Sequence, residues 1–171
     1  MALYLGADAH HLGLALRPEQ FEDDQFLLAL YGSTRQSELD LTGWDAATKD
    51  QFVAMQFHAQ RTYYRTHYSD ASYDVVELNG RPVGRLYVRR HEDEIVLMDV
   101  ALLPEYRSQG LGSRLLAALI DESVHTSRKL TLHVETNNPR AYAWYRRFGF
   151  EDVENNSLHV LMQRAPTRGP W

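Results

Sequence analysis

Two glycines, Gly110 and Gly112, stand where an apolar run gives way to a helical one. The run over 95–103 is apolar except for Asp99 and reads as a mostly buried strand. Pro104 ends it, because proline has no N–H to give a sheet ladder. Beyond a short turn, Leu111, Leu115, Leu116, Leu119 and Ile120 fall on one face of a helix. The first N–H groups of a helix lack internal partners and sit at the positive end of its dipole. Glycines there let a ligand approach the backbone, so with Arg107 beside them they could hold a phosphate or pyrophosphate. The alternative is a glycine-bearing turn with a solvated arginine. The spacing is not that of a P-loop, since no Gly-Lys-Ser/Thr follows, and the dinucleotide fingerprint would need a third glycine.

The segment Arg107-Ser108-Gln109-Gly110-Leu111-Gly112 resembles the acetyl-CoA signature Arg/Gln-x-x-Gly-x-Gly/Ala of the GNAT superfamily of N-acetyltransferases. The preceding stretch over 100–106 is similar to the strand that leads into that loop. A second block follows in the family's order: Asn138-Pro139-Arg140-Ala141, then Tyr145, then Phe148-Gly149-Phe150. The resemblance covers about 75–152 and is weaker before that. It implies an α+β GNAT fold, with a mixed central sheet of about seven strands flanked by about four helices. The fourth and fifth strands, at about 94–103 and 129–136, would splay apart. It also implies acetyl-CoA as cosubstrate, with the pantetheine arm bonded by the backbone of Val100, Ala101 and Leu102. The Leu102 N–H would polarise the thioester carbonyl. Arg107, Ser108, Gln109, Gly110, Leu111 and Gly112 would hold the diphosphate, mainly through backbone amides. The family often has a second basic residue in this loop; Ser108 and Gln109 stand there instead, which lowers the side-chain charge expected on the phosphates. Asn138 would be a cofactor contact and Tyr145 the general acid beside the sulfur.

Acetyl transfer to an amine needs a proton acceptor, donors for the carbonyl oxygen and an acid for the thiolate. The chain has no cysteine and no Gly-x-Ser-x-Gly elbow, so direct attack in a ternary complex is expected rather than a covalent acyl-enzyme. The base is open. His133 lies five residues before Asn138, where some family members carry a glutamate, and an imidazole accepts protons near neutral pH. Asp99 is an acidic residue in an apolar strand, and burial favours the neutral form of a carboxylate. Glu135 or a chain of waters completes the set. The eight histidines show no paired ligand spacing, so no metal is expected. A CoA-binding or partner-binding module without catalysis is the alternative. Acetylation of aminoacyl-tRNA is a further one, which the acidic balance disfavours.

The chain must position these residues with 171 amino acids, enough for a single domain over 1–171 with one sizeable core. A net charge of −5 argues against a nucleic-acid partner and suits an amine acceptor, on a small molecule or a peptide. No apolar run is long enough for a membrane span, and no secretory signal opens the chain, so the cytoplasm is expected. A homodimer through apolar closing strands is an expectation by analogy with the fold.

Periodicity predicts a strand over 12–17, a helix over 21–31 and a polar bend over 32–42. Asp45, preceded by Trp44, would cap a long helix over 46–67. Strands over 73–78, 81–90 and 94–103 form a meander whose first turn is Asn79-Gly80. A helix over 110–126, a strand over 130–135 and a helix over 140–148 follow, the last capped by Asn138 with Pro139 at its first position. A hairpin over 150–163 closes the domain. A loose or partly ordered start over 1–12 and a disordered tail over 164–171 are expected.

Overall fold

The computed structural model describes residues 3–6, 9 and 11–167. The strands are β1 (Leu14–Pro18), β2 (Ser72–Leu78), β3 (Arg81–Arg90), β4 (Glu94–Leu102), β5 (Lys129–Glu135), β6 (Glu151–Asn155) and β7 (His159–Arg164). The helices are α1 (Asp24–Leu39), α2 (Ala46–His67), α3 (Leu111–Thr126) and α4 (Pro139–Arg147). The sheet order is β1-β2-β3-β4-β5-β7-β6, with β4 and β5 parallel and the other neighbours antiparallel. This is an α+β domain with a mixed seven-stranded sheet, as the sequence implied.

The main core lies on one sheet face. There the apolar stripe of α3, including Leu115, Leu119 and Ile120, packs against Leu86, Ile95, Leu130, Leu132 and Met162. The other face carries α1 and α2, joined by a smaller cluster of Leu27, Tyr31 and Phe57. Asp45 caps α2 by accepting a 2.8 Å bond from the Thr48 amide, while Trp44 packs on Phe52 with ring centroids 5.3 Å apart. Along α2, Val53, Phe57 and Tyr64 turn inward, whereas Met55 and Tyr63 are exposed.

Two expectations need correction. The polar stretch over 32–42 is not a bend for most of its length, because α1 continues to Leu39. Gly32 is accommodated there by the close approach of α2: a Cβ on it would stand 3.3 Å from Val53 Cγ1. Within the helix, Ser33 and Thr34 donate their hydroxyls to the carbonyls of Leu30 and Tyr31. At the start of the chain, Leu3 and Leu5 rest on the main core and Ala9 is buried. Second, Arg164 belongs to β7 and is 3% exposed, with its Nε donating to the Phe148 carbonyl at 3.0 Å. Residues 168–171 of the expected tail lie outside the described residues.

Two features of β4 shape the site. Its pairing with β5 ends at Leu97↔Leu132, while its pairing with β3 runs on to Gly84↔Leu102. From Met98 onward, β4 therefore presents an edge to a gap. In addition, Asp99 faces Tyr87 and Leu97 faces Val88, leaving Met98 as an extra residue. This bulge changes the parity of the strand. Ile95 and Leu97 face α3; simple alternation would send Asp99 there too, but the bulge turns it toward Arg85 and α2.

Candidate active site

A cleft of about 870 Å³ runs from the free edge of β4 to the start of α3. Val100, Ala101 and Leu102 form one end; Arg107, Ser108, Gly110 and Gly112 form the other; Asn138, Arg140, Ala141, Trp144 and Arg147 of the α4 region make the far wall. Eight residues expected at a cofactor site meet here from three separate segments of the chain.

Gly110 is the N-cap of α3, in the left-handed region at φ 81°. A Cβ on it would meet nothing within 4 Å, so the backbone faces open space. The first intrahelical bond is made by the Arg114 amide to the Gly110 carbonyl, 3.0 Å. The amides of Leu111, Gly112 and Ser113 precede it and have no carbonyl one turn back to bond. A Cβ on Gly112 would touch the Trp144 ring at 3.6 Å, so α4 closes over the helix start at contact distance. Asn138 caps α4, accepting from the Ala141 amide at 3.0 Å, and also lines the cleft.

Arg107 is a brace rather than a free cation. Its Nε donates to the Leu102 carbonyl at 2.7 Å and its Nη2 to Ser33 Oγ of α1 at 3.1 Å. Burial and the neighbouring Arg140 lower its pKa from the usual arginine value. Charge comes instead from Arg140, whose Nη2 donates to Ser108 Oγ at 2.8 Å, and from Arg147. Ser108 holds a left-handed φ of 61°, which turns its side chain to that contact. The shortage of positive charge expected from Ser108 and Gln109 is thus offset from α4. Arg140 was visible in the Asn138-Pro139-Arg140 block, but its direction depends on how that helix docks.

The remaining expected residues are not among those that line the cleft. The Leu111 side chain is buried in the main core, and the Gln109 side chain bonds the Glu105 carbonyl. Tyr145 is 8% exposed, its ring 4.8 Å from that of Trp144 and 5.6 Å from that of Phe150. Burial, and secondarily the charge of Asp99, push its phenol well above the usual tyrosine range. Asp99 accepts a 2.6 Å bond from Arg85, which is 3% exposed and also donates to Gln60 of α2. Burial opposes the Arg85 charge, but Asp99 more than compensates and its pKa is raised. Tyr64 of α2 is pushed up to about 12 by burial, with the Asp99 charge second. His133 is exposed, because Leu130, Leu132 and Val134 take the core side of β5 and His133 takes the other. Its ring lies 6.5 Å from that of His159.

A parallel pair that parts over a glycine-started helix, with arginines along one wall, defines a site for an extended anionic ligand. The chain belongs to the acetyltransferase (GNAT) family, whose pattern matches residues 38–150. It is similar to mycothiol acetyltransferase of Saccharomonospora viridis, with 31% identity over 140 residues, covering 81% of this chain and 39% of that protein. It is also similar to the [ribosomal protein bS18]-alanine N-acetyltransferase of Escherichia coli K12, with 41% identity over 62 residues, 36% of this chain and 42% of that one. The chain thus matches less than half the length of each of these relatives. Among solved structures, the PaiA N-acetyltransferase of Thermoplasma acidophilum in complex with coenzyme A has the same fold. It superposes with a TM-score of 0.68 at 14% identity, over 89% of this chain and 98% of that one.

Proposed function

We propose that this chain transfers an acetyl group from acetyl-CoA to the amine of a small molecule or peptide, by direct attack. The observation that carries this reading is the cleft itself, continuous from the unpaired edge of β4 to the open amides of α3. Its residues fit the cosubstrate. The backbone groups of Val100–Leu102 that face away from β3, apart from the Leu102 carbonyl held by Arg107, suit the amides of a pantetheine arm. The start of α3, Arg140 and Arg147 suit a diphosphate.

Tyr145 is the acid in this reading. Its phenol carries a proton at neutral pH, as a tyrosine of ordinary pKa also would, and can give it to a leaving thiolate; burial makes it a weaker acid than a free phenol. The Leu102 N–H would stabilise the charge gained by the carbonyl oxygen. Of the candidate bases, His133 has its imidazole on the open face, whereas Asp99 spends a carboxylate oxygen on Arg85. We therefore assign the amine proton to His133 or to water, and give Asp99 the role of a fixed negative charge on the acceptor side. The relatives' names, a mycothiol acetyltransferase and a ribosomal-protein alanine N-acetyltransferase, support acetyl transfer without choosing an acceptor. No helix among the described residues is long and apolar enough to cross a membrane. The cytoplasm is the compartment we propose.

Thiol release from acetyl-CoA over a panel of amines tests the activity. Release that needs both the protein and an amine is expected. No release with any amine from a folded, acetyl-CoA-bound protein would contradict transfer and leave a binding module.

A further inference from the structure

Arg35 of α1 stands between Thr34 and Ser37, which both line the cleft. Its side chain is 28% exposed, and its guanidinium lies over the Tyr31 ring at 5.5 Å. Nη1 lies 3.6 Å from a carboxylate oxygen of Glu135 and 3.3 Å from one of Glu38. Glu135 is the last residue of β5, beyond the point where that strand leaves β4. The contact thus links α1 to the splayed end of β5.

Charge-assisted bonds between a guanidinium and a carboxylate usually close to about 2.7–2.9 Å. The Arg35 contacts are longer, so the cation is charged and oriented but loosely held. Burial opposes its charge, yet Tyr31, Glu135 and Glu38 outweigh that and raise its pKa. Two carboxylates flank this cation, so an incoming carboxylate reaches it by displacing Glu135. An acceptor that also carries a carboxylate would meet a ready fork of donors.

We propose that Arg35 is a specificity-determining residue that pairs with a carboxylate on the amine acceptor, taking it in exchange for Glu135. The inference rests on the acetyl transfer proposed above. Asp99 then lies on the ammonium side and Arg35 on the carboxylate side, which suits a zwitterionic acceptor.

The test compares matched amines: glycine with glycinamide, β-alanine with its amide, and 6-aminohexanoate with its amide. kcat/KM is measured for the wild type, Arg35→Gln and Arg35→Lys, with acetyl-CoA binding followed by calorimetry. The wild type is expected to favour at least one carboxylate over its amide by about tenfold or more. Arg35→Gln should lose that preference, mainly through KM, with acetyl-CoA affinity unchanged; Arg35→Lys should keep part of it. A merely structural ion pair would lower both members of a pair alike, and a preference that survives Arg35→Gln would overturn the inference. Turnover by the wild type without carboxylate preference overturns the inference alone. Absence of turnover on every amine overturns it together with the proposed transfer.

Discussion

Tyr145→Phe is expected to lower kcat by about 10²–10⁴-fold, the usual contribution of a positioned acid, while acetyl-CoA affinity stays nearly unchanged. The substitution removes one oxygen and keeps the ring. The contacts with Trp144 and Phe150 persist, so the local core is preserved. No hydrogen bond from the phenol to another described residue is lost, and stability should change by less than about 1 kcal/mol. The sign of the pH effect follows from the raised pKa. The acid form is the active one and is present throughout the range below the usual tyrosine value of about 10. Tyr145 should therefore impose no alkaline loss of rate between neutral pH and that value. Steady-state thiol release and calorimetry check both halves. An unchanged kcat would remove Tyr145 from the mechanism and leave it as a core aromatic.

The second large effect is expected from a residue outside the cleft. Gly84→Ala places a Cβ 2.4 Å from the Ala101 carbonyl oxygen and 2.6 Å from Leu102 Cδ2. Gly84 is absent from the positive-φ glycines, so the cost is steric rather than conformational. Backbone stands in the way, and β4 must move. Overpacking of this kind costs about 1–3 kcal/mol, roughly 2–12 °C in Tm for a domain of this size. The segment displaced is Ala101–Leu102, the free edge proposed to bond the pantetheine arm. Acetyl-CoA affinity should fall by about tenfold or more, beyond the loss of stability. Thermal unfolding and calorimetry on the same preparation separate the two. Undiminished affinity would mean that this edge does not bind the cosubstrate.

Much of this arrangement was legible in local chemistry. Asp45 and Asn138 cap helices as their side chains suggest, and Asn79-Gly80 makes the turn of the meander. The glycine turn into α3 was readable because glycine types report backbone geometry directly. What was hidden depends on contacts between distant segments. The extension of α1 through Gly32 needs Val53 of α2 beside it, which no local pattern records. The bulge at Met98 reverses the facing of Asp99, and period-two reasoning cannot see a residue inserted into a ladder. The Arg107 side chain points to the backbone of β4 and to α1, so a residue expected at the phosphates serves as a strut. Arg140 takes up charge that the loop lacks, and only the docking of α4 reveals it.

The central claim is that acetyl-CoA lies between the free edge of β4 and the start of α3. Isothermal titration of acetyl-CoA and CoA tests it most directly, with Gly112→Glu and the double variant Gly110→Glu, Gly112→Glu as controls. A glutamate at 112 would project among Trp144 and Leu102 and bring negative charge to the amides of α3. Micromolar binding by the wild type, abolished in both variants while their thermal unfolding remains cooperative, is the predicted result. No binding by the folded wild type, or binding that either variant leaves intact, would contradict the account.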